Sequence, residues 1–290
     1  MLIASLKEIS EIKTLQNYCE GIVVYTNDFS SFYNKAYDVA ELLEIYNQKG
    51  NLKMFIDLSC MMENKDIEHL RSFLENFKSL DVYYLYIDLG VHQVLKENGI
   101  ENRGVYNPTT LITNHDDLAF YLNQNMLSTA ISLEIPVTDM INISKLNNNN
   151  MWMQAFGYHQ MFHSKRHLIS LYKEHDNLNF ENSPLNSFLK EEKREDFYHI
   201  YEGNRGTILF RSYLIDYLSD LKAINPKYIF MDNIFLDSNI FIKCVEAYSK
   251  YLNNLISLDE ALNIINSFDL KFEEGFKLND TVYQKEKYNA

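Results

Sequence analysis

Six polar side chains stand at or just after the ends of short apolar runs that alternate with helix-like segments. They are Asp57, Asp88, Asn107, Glu134, Gln154 and Asp232. In a parallel barrel the carboxyl ends of the strands meet at one mouth, where active sites lie. Carboxylates gathered there can hold a cation, position a ligand or share a proton at a raised pKa. Each residue alone also fits the role of a helix cap, but the set predicts a polar site with the four acids and Gln154 as catalytic residues.

Three histidines recur at intervals of four residues in the segment 156-FGYHQMFHSKRHLIS-170. They are His159, His163 and His167. On a helix this spacing places neighbours on adjacent turns, which is a known zinc geometry. Three in succession drift around the helix by about 40° per step, and no Glu stands between them. The segment is therefore predicted to supply polar loop residues beside a basic pair, and no metal site is expected.

Nine β-rich runs alternate with the helix-like segments and would position these residues. A closed barrel of eight parallel strands needs one run fewer. The surplus run is 207-TILFRS-212, because the connection from 157 to 206 is too long for an ordinary loop. We expect a (β/α)8 TIM-like barrel formed by a single domain, 1–290, with an insertion at 157–206 after the seventh strand. The insertion should contain a strand at 197–203, and a tail at 270–290 should pack on the barrel. An open doubly wound sheet is the alternative, but the chain has no GxGxxG or GxxxxGK[ST] motif.

Composition limits the partners and the compartment. The formal net charge of −13 repels phosphate, so binding to nucleic acid would need a local basic patch or a second subunit. No apolar run reaches the length of a signal peptide core or of a membrane span. Three cysteines form no CxxC pair, which indicates neither a disulfide framework nor a thiolate metal site. A reduced, cytoplasmic location is expected, with no membrane partner.

The histidine segment resembles the signature of the collagenase-like peptidases, peptidase family U32. Gln154 stands at the signature's Glu, Phe156 at its Phe, Ser164 and Ser170 at two Ser positions, and His167 at its second Cys. Further resemblances span most of the chain. They are 106-YNPTTLITN-114, 204-NRGTILFRSYLIDYLSDL-221, 227-KYIFMDN-233 and 275-GFKLNDTVYQ-284.

The resemblance implies a short, cysteine-poor branch of the family that pairs with a longer, cysteine-containing paralogue. Such pairs form 5-hydroxyuridine at the wobble position of tRNA, and many family members hold a four-iron–four-sulfur cluster. Clusters need thiolates, and none of the three cysteines lies in the signature. We therefore expect no cluster on this chain and an iron–sulfur cluster on the partner subunit.

A tRNA substrate would need cations and base-stacking groups near the barrel mouth. The predicted substrate-binding residues are Asn107, Thr109, Asn114, Tyr158, His159, Lys165, Arg166, His167, Arg205 and Arg211. Tyr106 and Trp152 are further candidates for stacking, although core packing is the favoured role of Trp152. Two other functions stay open. A protease would need a nucleophile such as Ser164 activated by a desolvated Lys165, and a scaffold would only stabilise a catalytic partner.

Overall fold

The parallel strands form the centre of the molecule. The computed structural model describes residues 1–181, 183–193 and 195–279. Eight strands of this part run parallel to their neighbours: β1 (Leu2–Ser5), β2 (Gly21–Tyr25), β3 (Lys53–Leu58), β4 (Val82–Tyr86), β5 (Gly104–Tyr106), β6 (Ser128–Thr129), β7 (Trp152–Ser164) and β11 (Tyr228–Met231). Most of their residues are buried, as expected for a parallel sheet that is covered on both faces.

Helices connect these strands. They are α1 (Ile12–Leu15), α2 (Val39–Gln48), α3 (Asn64–Glu75), α4 (Leu89–Glu97), α5 (His115–Leu122), α6 (Val137–Leu146), α7 (Leu168–His175), α8 (Leu221–Ile224), α9 (Ser238–Leu252) and α10 (Leu258–Asn266). Local sequence fixes several starts: Asp38 and Ser257 begin α2 and α10 with capping boxes. Among the described residues, no helix combines the length and apolar character that crossing a membrane requires.

The sheet is curled, and its strand order is β6-β5-β4-β3-β2-β1-β11-β7-β10-β9-β8. Just beyond β6, Ala130 forms a parallel bridge to Trp152 at the start of β7, and the Ile131 N–H donates to the Trp152 carbonyl at 3.1 Å. The two ends of the parallel series therefore approach each other. The fold is mixed α/β, with a curled sheet of parallel strands and outer helices, and it is compatible with a TIM-like barrel.

Two apolar layers hold the sheet. On its concave face Trp152 packs against Phe55, Tyr228 and Phe230, with ring centroids 5.1 to 6.0 Å apart. The larger cluster lies between the strands and the helices. The core role of Trp152 is confirmed. Tyr106 is 4% exposed and packs on Tyr121 at 4.6 Å, so its prediction as a base-stacking residue was wrong.

Three antiparallel strands extend the sheet beyond β7: β8 (Phe188–Lys190), β9 (Phe197–Gly203) and β10 (Gly206–Asp216). The surplus run 207–212 lies in β10, and the predicted strand 197–203 is confirmed. However, β7 runs on past 157 to Ser164, where it pairs with β10. The boundaries 157–206 therefore fall within a long β-ladder.

The histidines do not lie together on a helix, so the helical premise of the zinc geometry was wrong. His159 and His163 lie on β7, and His167 follows the strand as the residue before α7. A separation of four also places two side chains on the same face of a strand, so the spacing alone did not distinguish the two elements.

The tail is described only as far as Asn279. Phe272 forms a bridge to Leu214, and the Lys277 carbonyl accepts a hydrogen bond of 3.0 Å from the Val137 N–H at the start of α6. Phe272 and Lys277 therefore tie this part of the tail to β10 and α6. The rest of the predicted tail, 280–290, lies outside the described residues. Residues 280–284 of the 275–284 motif belong to this part.

Candidate functional site: an acidic pocket at the strand ends

A pocket opens at the carboxyl ends of β2, β3 and β11 and over the first two thirds of β7. Seven of the fifteen predicted site residues line it: Asp57, Asn107, Thr109, Gln154, Tyr158, His159 and Asp232. Leu85, Ala130 and Trp152 form its apolar floor above the concave core. The pocket therefore combines a dry floor with converging polar groups, as ligand sites usually do.

Two buried carboxyl groups dominate the pocket, and each is 3% exposed. Asp57 Oδ2 accepts a 2.6 Å hydrogen bond from Ser59 Oγ, and Asp232 Oδ1 accepts one of 2.9 Å from the Tyr25 hydroxyl. Burial raises the pKa of Asp57 to about 7 and that of Asp232 to about 6, although these hydrogen bonds oppose the shift. Near neutral pH the two groups can therefore take up and release a proton, as general acid–base chemistry requires.

The backbone of β7 and β11 sets the position of Asp232. The pairing slips by one residue, from Phe230–Gln154 to Met231–Phe156, so that a bulge bends the strand there. The Asp232 N–H donates to the Phe156 carbonyl at 3.0 Å. Next to it, Gly157 adopts a φ of +121°, and a Cβ at this position would lie 2.6 Å from the Asp232 carbonyl oxygen. A residue without a side chain is thus required beside Asp232.

His159 is a buried histidine of the site, at 5% exposure. Burial, with a smaller contribution from the Arg211 charge, lowers its pKa to about 3, so the imidazole is neutral. Its Nε2 has no hydrogen-bond partner among the described residues. Beside it, Gln154 Nε2 donates to the Tyr158 carbonyl at 3.0 Å. A neutral imidazole whose Nε2 has no hydrogen-bond partner in the described part of the protein is suited to bonding a ligand.

The structure places three of the predicted residues in local structural roles. Asp88 caps α4, where it accepts from the Gly90 N–H at 2.8 Å, and Asn114 caps α5. Glu134 pairs with Arg211 at 2.8 Å. None of the three lines the acidic pocket. Asp88 instead lines a neighbouring pocket, which shares Thr109 with the acidic pocket.

Three predicted phosphate-binding cations form internal ion pairs. Lys165 bonds Glu63 at 2.9 Å, Arg205 bonds Asp66 at 3.1 Å, and Arg211 bonds Glu134. All three cations belong to the antiparallel β7–β10 ladder or to the turns that flank it, and all three acids lie on loops or first helical turns after β3 and β6. These pairs link the ladder to the loops on the other side of the mouth. The remaining predicted substrate residues of this segment, Arg166 and His167, are exposed.

The Lys165 contact also bears on the protease alternative. The Lys165 side chain is 42% exposed and paired with a carboxylate. A lysine can serve as the base for Ser164 only when it is desolvated and held neutral. The exposed, paired Lys165 does not meet this condition, so the structure does not support the dyad that a protease would require.

The Arg205 pair should contribute most of the three to stability, because its carboxylate is nearly buried. Arg205 Nε also donates to the Asp28 carbonyl at 2.9 Å, and its guanidinium lies over the Phe29 ring. We expect Arg205→Ala to lower the free energy of unfolding by roughly 1–3 kcal/mol, since it leaves the Asp66 charge without its partner. Urea unfolding of the purified variant measures this loss.

The matched control is Arg71→Ala, which removes an exposed pair with Glu97. Water and salt screen such pairs, so this variant should unfold close to the wild type. Equal losses in the two variants would contradict the fastening role of Arg205.

Two hydroxyl side chains that bond the pocket acids were not predicted from the sequence. Tyr25 is the last residue of β2 and donates to Asp232, and Ser59 follows β3 and donates to Asp57. Both stand at strand ends, so the rule that selected the acids would also have selected them. The prediction covers only carboxylates and amides at those ends, which leaves the hydroxyl groups out.

The cysteines do not match an iron–sulfur site. Cys19, Cys60 and Cys244 are all buried, on three separate elements, and burial raises the pKa of each to about 12. Cys19 Sγ donates to the Leu15 carbonyl, and Cys60 contacts Met62 Sδ at 3.7 Å. A cluster needs thiolates that face one centre, whereas these thiols are held neutral and contact other groups. Among the described residues, no group of three or more His, Cys, Asp or Glu side chains is placed to hold a metal ion.

The fold and the pocket define the class of this protein: an α/β chain with a curled parallel sheet and an acidic, partly apolar pocket at the strand ends. The chain belongs to peptidase family U32, whose sequence profile matches residues 27–285. The resemblance of the histidine segment to this family is thus confirmed. The chain is also similar to tRNA hydroxylation protein P2 of Bacillus subtilis (strain 168), with 22% identity over 265 residues and 85% of each chain covered.

Proposed function

We propose that this chain is a subunit of a tRNA-modifying complex that forms 5-hydroxyuridine at the wobble position. The observation that carries this proposal is the end-to-end similarity to a tRNA hydroxylation protein, 85% of each chain, within the same family. The pocket supplies suitable chemistry, because Asp57 and Asp232 titrate near neutral pH beside a neutral His159. A tRNA substrate implies a cytoplasmic protein.

The curled sheet supports a closed (β/α)8 barrel as the framework of this function. The bridge between Ala130 and Trp152 lies where the first and last parallel strands of the series would close. Closure would bring the strand ends around one mouth, and the pocket lies there. We propose that the antiparallel strands β8, β9 and β10 are the insertion that frames this mouth.

We further propose that the chain holds no iron–sulfur cluster and that a longer, cysteine-containing paralogue supplies it. The neutral, buried thiols of this chain support the first point. The net charge of −13 supports the need for a second subunit, because an acidic chain attracts tRNA weakly on its own.

Deletion of the gene is the test of this function. Total tRNA from the deletion strain is digested and analysed by nucleoside mass spectrometry, and 5-hydroxyuridine and its derivatives should fall below one tenth of the wild-type level. Complementation with the intact gene should restore them. An unchanged level in the deletion strain, with the paralogue present, would refute the proposal.

A scaffold that stabilises a catalytic partner is the second candidate. The pairing of Arg205 and Arg211 favours it, because these two largely covered cations are bonded to carboxylates and are less available to phosphate. The two candidates differ in one respect. A scaffold tolerates neutral substitutions in the acidic pocket, whereas a catalytic subunit does not.

A further inference from the structure

Exposed apolar side chains are concentrated on the antiparallel insertion. Of the fifteen large hydrophobic residues that are exposed in the described chain, nine lie between Met161 and Phe197. They are Met161, Phe162, Leu171, Tyr172, Leu178, Phe180, Phe188, Leu189 and Phe197. Scattered apolar residues are normal on a surface, but a cluster of this kind marks a contact surface.

Four of these nine residues, Tyr172, Phe180, Phe188 and Leu189, line a groove of about 540 Å³ between α7 and β8. Tyr172 and Ile169 form its helical wall, Leu189 and Phe188 form the strand wall, and Phe180 closes one end. Within the described residues β8 pairs only with β9, so it is the outer strand of the sheet. Its other edge offers backbone N–H and C=O groups to an added strand.

The charge of the segment that contains the groove indicates which kind of molecule can bind there. Between 171 and 197 the sequence has seven Asp and Glu residues against four Lys and Arg, and the whole chain carries −13. Nucleic acid, an anionic lipid surface and a second copy of this chain would all be repelled by this balance. A protein segment with apolar side chains flanked by Lys and Arg would be attracted.

We propose that the groove between α7 and β8 binds an extended apolar segment of a partner protein, flanked by Lys or Arg, whose backbone extends the sheet at β8. This inference rests on the proposed function, in which the partner is the longer paralogue. A row of aromatic rings joins the groove to the acidic pocket. Phe188 lies 4.7 Å from His199, and His199 lies 4.7 Å from Tyr158, which lines the pocket. A segment bound at β8 would therefore contact side chains that pack continuously from the groove to the acidic pocket.

The test uses the full chain with the longer, cysteine-containing paralogue of the same genome as the tagged probe. Leu189→Asp and Tyr172→Asp each place a charge in the groove and should weaken binding at least 30-fold. Leu255→Asp is the matched control, because Leu255 is 72% exposed and lies outside the cluster, beyond the end of α9. It should bind as the wild type does.

Amide hydrogen exchange of the wild-type complex gives a second measurement that needs no variant. The β8 amides, 188–190, should exchange more slowly in the complex than in the free chain. Unchanged exchange at β8, or wild-type affinity in both groove variants, overturns the inference. So does self-association of the purified chain that Leu189→Asp abolishes, since the occupant is then a second copy. Loss of hydroxyuridine in the deletion strain tests the proposed function separately, so the two can fail independently.

Discussion

The double substitution Asp57→Asn with Asp232→Asn is expected to reduce tRNA hydroxylation at least 100-fold while leaving the chain folded. Each amide is nearly the size of the carboxyl group that it replaces, so packing around the pocket is kept. An amide cannot take up or release a proton near neutral pH, and positioned acid–base groups contribute about 10²–10⁴ in rate. The measurement is 5-hydroxyuridine in tRNA from the deletion strain complemented with the variant gene.

The single variant Asp57→Asn should gain stability at high pH, whereas the double variant loses activity. Burial raises the pKa of Asp57 to about 7 in the folded chain, above the value of about 4 expected when unfolded. The folded state thus binds this proton more tightly, and the resulting stability is complete below about pH 4 and is lost as the pH rises through 7. At pH 8 the variant avoids this loss, which for a pKa raised from about 4 to about 7 amounts to at most about 4 kcal/mol, and should be more stable, whereas at pH 4 it should not be. Urea unfolding at both pH values measures the difference.

Asp216→Asn is the matched control for the loss of modification. Asp216 is a partly buried carboxyl group with a pKa that burial raises, and it accepts a hydrogen bond from Tyr248, but it does not line the pocket. Its substitution should leave hydroxyuridine at the wild-type level. If the double variant also keeps the modification while the deletion strain loses it, the pocket is not the reaction site and the scaffold candidate stands.

The strand-end rule predicted the centre of the pocket because parallel geometry determines it. Asp57 and Asp232 stand at the carboxyl ends of β3 and β11, which share one edge, and both line the pocket. Gln154 lines it too, but it is the third residue of the thirteen-residue β7 and does not end the strand as predicted. The rule failed for Asp88 and Glu134. The first caps the next helix, and the second pairs with an Arg that lies 77 residues away in sequence.

The predicted basic patch shows a more general limit of sequence reasoning. Arg205 lies 139 residues from its partner Asp66, and no local pattern signals such a pair. A count of cations gives the charge of a segment but not the carboxylates that the fold brings against it. For the same reason the groove beside β8 was not predicted, since exposure depends on which faces other elements leave uncovered.

The second large effect is expected at Gly157, where backbone conformation and close approach act together. Gly157→Ala should lower the free energy of unfolding by roughly 3 kcal/mol or more. The φ of +121° is one that residues with a Cβ rarely adopt, and the new methyl group would lie 2.6 Å from the Asp232 carbonyl oxygen. Because that oxygen belongs to the backbone, the contact is relieved only by moving β11 away from β7. The variant should therefore also lose hydroxyuridine formation.

Gly99→Ala is the reference for a positive φ without a close contact. Gly99 has a φ of +68°, in the left-handed helical region, and no heavy atom outside its neighbours lies within 4 Å of the position of the added Cβ. Its substitution should cost about 1 kcal/mol of conformational strain and should leave the modification unchanged. The excess loss at Gly157, measured by urea unfolding of both variants, then reports the contact with Asp232 together with the greater strain of a φ of +121°. Equal losses would contradict both, and would mean that β7 and β11 can separate there without cost to the carboxyl group they hold in the pocket.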